Sequence, residues 1–154
     1  MTTALLVIDF QKGLVDTEPL PGDIAMVSAH INALMQRARD ASVPVVLIQH
    51  EDDSMLVHGS EAWTLSATLN TAARDHLISK RTPDSFLGTG LGALLAAHAV
   101  KHIVICGYAS EFCVDTTVRR SAAMPAAITD AIDRLLTEHA SLEWDAPVCG
   151  AMKP

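Results

Sequence analysis

Asp9, Lys80 and Cys113 are the side chains whose chemistry is complementary: an acid, a cation and a thiol, each at or just beyond the end of an apolar run. A thiol attacks a carbonyl carbon as its thiolate, and both the positive end of a helix and a neighbouring lysine favour that form. A carboxylate beside the lysine can take the thiol proton and return it to a leaving group, its pKa being set by burial and by the lysine charge. Each residue alone has a plainer reading. A cysteine at an apolar helix start is more often a small core residue, an aspartate after a strand a turn former, and a lysine at a strand end a solvated charge. Only a fold that gathers distant segments at one edge would make the three a site.

The surrounding segments predict such a fold. Ala4 to Ile8 and Val43 to Ile48 are continuous apolar runs, the pattern of strands buried on both faces of a parallel sheet. Between them, Ile24, Val27, Ile31, Leu34, Met35 and Ala38 recur at helical spacing and predict an amphipathic helix from Asp23 to Asp40. The unit then repeats, with a strand Leu77–Lys80, a helix Leu91–Ala99 and a strand His102–Cys106 closed by Gly107. Next comes a helix to Met124 with Ser110 as its N-cap. Ala126–Thr129 reads as a fifth strand, Arg134–Leu142 as a last helix and Pro147–Met152 as a candidate sixth strand. Alternation of this kind predicts an α/β fold, a three-layer open parallel sheet with helices on both faces (Rossmann-like), as a single domain over residues 1–154. Ligands of such sheets bind at the carboxyl ends of the strands, which is where Asp9, Lys80 and the start of the Cys113 helix fall.

Composition narrows the partners. With 49% apolar and 19% charged residues, the chain reads as globular rather than disordered. A net charge of -7 opposes phosphate backbones, so no nucleic-acid partner is expected. No apolar run approaches the ~20 residues of a membrane helix, and the first residues lack a basic-then-apolar leader. The expectation is a cytoplasmic protein with no membrane partner. Cys106, Cys113 and Cys149 form neither a paired framework nor a C-x-x-C spacing, which suits reduced thiols in a reducing compartment. Cys106, inside an apolar strand, reads as core.

The stretch Ile105-Cys-Gly-Tyr-Ala-Ser-Glu-Phe-Cys-Val-Asp-Thr-Thr117 resembles the nucleophile motif of the isochorismatase-like cysteine hydrolases. Leu5-Leu-Val-Ile-Asp-Phe-Gln11 is similar to that family's opening strand with its acid, and Ile78-Ser-Lys-Arg-Thr-Pro-Asp-Ser-Phe86 to its lysine segment. Ala127-Ile-Thr-Asp-Ala131 is similar to its later strand and acidic turn, and order and spacing agree throughout. The resemblance implies a Cys–Asp–Lys triad that hydrolyses a small amide, lactam or related C–N bond through a thioester acyl-enzyme. Cys113 would attack, Asp9 would shuttle the proton and Lys80 would hold the charges in register. It implies a non-proline cis peptide at Tyr108–Ala109, and an oxyanion hole formed by the N–H groups of Ala109 and Cys113. It also implies a small-molecule, amide-like substrate and assembly as a homodimer or higher homo-oligomer.

Nicotinamidases of the same superfamily bind a divalent metal through an aspartate and several histidines in the region where this chain has His50, Asp52, His58 and His76. The run Gln49-His50-Glu51-Asp52-Asp53 does not reproduce their Asp-x-His arrangement, so no metal or other cofactor is expected. The stretch from Gln49 through His58-Gly-Ser60 to Trp63 resembles instead a metal-free branch that includes streptothricin-hydrolase-like enzymes. Phe10, Trp63 and Phe86 are candidates for walls of a substrate pocket. Two alternatives accompany this reading: a metal-assisted amidase of the nicotinamidase type, and a non-catalytic binding domain on the same fold. A binding domain would have no physical reason to carry Asp9, Lys80 and Cys113 together. The tight join Met124-Pro125-Ala126 and the short stretch after Asp130 depart from the family pattern; they bear on a lid and an oligomer interface rather than on the triad.

Overall fold

The computed structural model describes residues 2–17 and 23–124. In chain order its elements are β1 (Thr3–Ile8), α1 (Lys12–Val15), α2 (Ile24–Asp40), β2 (Val45–His50), β3 (His76–Lys80), α3 (Leu91–Ala97), β4 (His102–Gly107) and α4 (Asp115–Ala122), the last entered through a π-helical turn, Ser110–Val114. The four strands form one parallel sheet in the order β3-β2-β1-β4. The fifth strand, last helix and sixth strand expected between Ala126 and Met152 lie outside the described residues, as does Cys149. Among the described residues, no helix is long and apolar enough to cross a membrane.

Alternation along β1 divides the core in two. Ala4, Leu6 and Ile8 join Val46, Ile48, Leu91, Leu95 and Val114 on the side of α3 and α4. Leu5 and Val7 join Ile31, Met35, Val45 and Leu47 on the side of α2. Burial on both faces is the reason these strands read as unbroken apolar runs. The predicted three layers are therefore present, helices covering each face of a parallel sheet.

Element ends differ from the sequence reading for local reasons. α3 stops at Ala97 because Ala99 adopts a left-handed conformation (φ 50°) and closes a Schellman turn, Ala99 N–H to Ala96 O and Val100 N–H to Leu95 O. α2 ends the same way: Ser42 is left-handed (φ 57°), and Val43 N–H returns to Ala38 O. Val43 is thus spent on the helix end and Pro44 has no N–H to give, so β2 begins at Val45. In the last turn of α2, Arg39 grips Asp75 with two hydrogen bonds of 3.0 and 2.6 Å and ties the helix to the turn before β3.

Gly107 closes β4 where the chain leaves for the π turn. Its φ of 134° is one that side chains rarely adopt, and a Cβ there would overlap Ile8 O and come within 2.6 Å of Ile8 N on the neighbouring strand. Both atoms are backbone and cannot give way. Gly107→Ala should therefore cost about 3 kcal/mol or more, read as a lowered urea midpoint or as loss of folded protein. A midpoint equal to wild type would contradict this account of the junction.

Candidate active site

The row Ile8, Ile48, Ile78 crosses β1, β2 and β3 on the α3 side of the sheet. Two residues further along, His50 and Lys80 are direct register partners and share that side, since side chains repeat every second residue. The same alternation would send Asp9 to the α2 side. Its left-handed backbone (φ 52°) breaks the pattern, and its Oδ2 meets Lys80 Nζ at 2.7 Å, the two side chains being 2% and 0% exposed. Phe10, next in line, then falls on the α2 side.

From Gly107 the chain passes through a cis peptide bond, Tyr108–Ala109, into the π turn. Ala109 is extended, and its carbonyl accepts the N–H groups of Phe112 at 3.1 Å and Val114 at 3.4 Å. Ser110 is not the N-cap expected of it: Ala109 holds the extended position before the turn, and no side chain caps it. The turn presents a half-buried Cys113 to the sheet edge, where Lys80 Nζ donates to Sγ at 3.2 Å. The structure therefore brings Asp9, Lys80 and Cys113 together, with Lys80 between the other two.

Their electrostatics correct one expectation. Burial, then the charge of Asp9 and its loose hydrogen bonding to the thiol, push the Cys113 pKa up to about 11, more than Lys80 lowers it. At neutral pH the resting group is a thiol. Asp9 Oδ1 is buried and has no well-formed hydrogen bond among the described residues, so that oxygen keeps its capacity to accept a proton.

His50 also belongs to the cluster, its Nδ1 lying 3.3 Å from Lys80 Nζ. Burial and the lysine charge lower its pKa. From the sequence His50 stands out only as a candidate metal ligand; its place two residues after Ile48, matching Lys80 two after Ile78, is the signal that pairs it with the lysine.

Of the expected pocket walls, Phe10 is corrected: it is 1% exposed within the α2-side core, on the sheet face opposite Cys113. Phe86 packs on the same core cluster as Cys113. Trp63 is half-buried, its ring 4.4 Å from that of His58, and its carbonyl accepts from Gln11 and Gln49. The residues that raised a metal question are otherwise engaged. Asp52 Oδ1 accepts three backbone N–H groups, from Ser54, Met55 and Leu56, which hold its pKa at about 2. His58 pairs with Glu51, and His76 stacks edge-on with His98. Among the described residues no group of three His, Cys, Asp or Glu side chains is placed to hold a metal ion, so this donor set does not fit the nicotinamidase metal.

Residues 3–124 match the family model of the isochorismatase domain. The chain is 36% identical over 118 residues to a streptothricin hydrolase of Streptomyces noursei, a match covering 75% of this chain and 43% of that protein. A crystal structure of an isochorismatase family protein superposes with a TM-score of 0.73 at 36% identity, over 77% of this chain and 70% of the other. A cysteine hydrolase from Pseudomonas syringae pv. phaseolicola 1448A gives a TM-score of 0.72 at 25% identity, over 77% and 64%. The chain thus spans less than half the length of the streptothricin hydrolase.

The balance of charges around Sγ makes a measurable prediction. Alkylation of Cys113 by iodoacetamide should climb through the alkaline range with a midpoint at about 11, followed by mass spectrometry of the Cys113 peptide. In Asp9→Asn the carboxylate charge is gone while Lys80 remains, so the midpoint should fall and labelling at neutral pH should quicken. A wild-type midpoint near neutrality, or one that Asp9→Asn leaves in place, would contradict it.

Proposed function

This chain belongs to the isochorismatase family, and from that premise we propose that it is a cysteine-dependent hydrolase of a small amide, lactam or related C–N bond. The observation that carries this reading is the buried lysine ammonium that touches both Asp9 Oδ2 and Cys113 Sγ. In the proposed reaction the substrate carbonyl oxygen lies against the N–H groups of Ala109 and Cys113, the oxyanion hole. Among the described residues, no backbone hydrogen bond uses the Ala109 N–H.

Asp9 takes the thiol proton as Sγ attacks the carbonyl carbon, and Lys80 balances the negative charge as it passes between carboxylate and sulfur. The protonated Asp9 gives that proton to the leaving nitrogen, the C–N bond breaks and a thioester forms on Cys113. Water then loses a proton to Asp9, attacks the thioester and releases the acid, and the sulfur recovers its proton. A thiol of raised pKa suits this sequence, because the thiolate it yields is a stronger nucleophile than one of low pKa and its proton has a base beside it.

A thiolate facing an oxyanion hole needs no metal-activated water for attack, and the engaged positions of Asp52, His58 and His76 favour the metal-free course over a nicotinamidase-type one. Exposed Leu77, Leu87 and Phe112 offer apolar surface that a homodimer or higher homo-oligomer would cover.

Incubation with a panel of primary amides, ureido acids and lactams, followed by intact mass and peptide mapping, should trap an acyl group on Cys113. Turnover should collapse in Cys113→Ala, fall by about 10²–10⁴-fold in Asp9→Asn, and survive chelators. Full activity in Cys113→Ala would end the covalent reading; loss in EDTA with recovery on added metal would replace it with the metal-assisted one.

A further inference from the structure

An ammonium carries three N–H donors and accepts nothing. Lys80 Nζ has three acceptors within reach: Asp9 Oδ2 at 2.7 Å, Cys113 Sγ at 3.2 Å and His50 Nδ1 at 3.3 Å. The first two belong to the triad. The third comes from outside it, and since the lysine can only donate, the imidazole must be neutral with its lone pair on Nδ1 and its proton on Nε2. Lys80 is 0% exposed, so an N–H that lost its partner would be left buried and unsatisfied.

His50 is itself clamped. Gln11, fully buried, donates Nε2–H to His50 O at 2.9 Å and accepts His50 N–H through Oε1 at 2.7 Å. After β1 turns at Asp9, this side-chain amide stands where a strand peptide would, and a further bond from Nε2 to Trp63 O at 2.7 Å anchors it. The backbone that carries the ring is therefore fixed along its β1 edge, opposite the edge that pairs with β3.

We propose that His50 is a positioning residue of this site, its neutral ring accepting the third N–H of Lys80 and so fixing the ammonium between Asp9 and Cys113. Its catalytic meaning rests on the cysteine-hydrolase reading above. With three acceptors engaged, Lys80 keeps no N–H for the substrate, and Asp9 is left as the carrier of protons to and from it. Burial, the largest influence, lowers the pKa of the ring and so favours its neutral form. Lys80 on β3 and Arg81 just beyond it oppose protonation together with burial, against Asp9 beyond β1 and Asp52 beyond β2; Cys113 reaches the same ammonium from the π turn.

The test needs no substrate: the rate of Cys113 alkylation by iodoacetamide at one fixed alkaline pH, measured in the full chain. His50→Leu removes the acceptor, so the buried ammonium stabilises the thiolate less and alkylation should slow by about tenfold. His50→Asn puts an amide oxygen near the former Nδ1 and should recover most of that rate. An unchanged or faster rate in His50→Leu overturns the proposal, and so does an equal slowing in both variants, which would mean that the ring's bulk matters and its lone pair does not. Thermal melts establish that each variant folds, and His50→Ala takes the place of the leucine variant if it does not. Because no turnover is read, these rates stand or fall separately from the trapping of a thioester.

Discussion

The Asp9–Lys80 ion pair is the contact on which the arrangement depends. Moving two opposite charges out of water costs several kcal/mol per ion even after relaxation, and only close contact with further hydrogen bonds offsets it. The contact here is 2.7 Å, with Cys113 Sγ and His50 Nδ1 as additional acceptors for the cation. Parallel strands are what make it reachable. β1 and β3 flank β2 and run the same way, so Asp9 and Lys80 leave the sheet at one edge; reversing either strand would put them at opposite edges.

A second buried pair, Arg39–Asp75, differs in how fully its carboxylate is engaged. Both Asp75 oxygens are taken by Arg39, and Oδ2 also accepts Ala72 N–H at 2.7 Å. Both oxygens of that carboxylate are engaged, so neither is left without a partner. Asp9 has one oxygen on Lys80 and the other without a well-formed partner. That shortfall is a cost to stability and a capacity for proton transfer. Exposed pairs such as Arg81–Asp53 and Arg119–Asp115 have neither quality, being solvated and worth little.

Much of this was legible in the residues. Unbroken apolar runs and helical spacing gave β1, β2 and α2 within a few residues, because burial on both faces leaves a direct trace in composition. Asp9 and Lys80 stand out because each ends a strand-like run, and Cys113 because it falls in the first turn of the helix after the next strand. What the sequence did not carry were conformations that residue type does not encode. Nothing in the letters says that Asp9, Ser42 and Ala99 are left-handed, yet the first of these turns Asp9 to the thiol's side of the sheet and sends Phe10 to the other. The thiol's pKa is hidden from the sequence for a related reason: helix end and lysine are visible there as neighbours, whereas burial and the nearness of the Asp9 charge exist only in three dimensions. The link between His50 and Lys80 is equally hidden, because the alternation that joins them needs the strand register to be known.

The strand order also fixes a sequence of events in the making of the molecule. β1 lies inside the sheet and pairs on one side with β2, as in Leu5 with Val45, and on the other with β4, as in Ala4 with Ile103. During synthesis it emerges early, while its second partner is still unwritten, so one edge of an apolar strand waits until β4 has left the ribosome. Such distant pairings slow folding and leave a template open to other chains in the interval. β1, apolar on both faces and with one edge waiting for β4, is thus a part of the nascent chain in need of shelter.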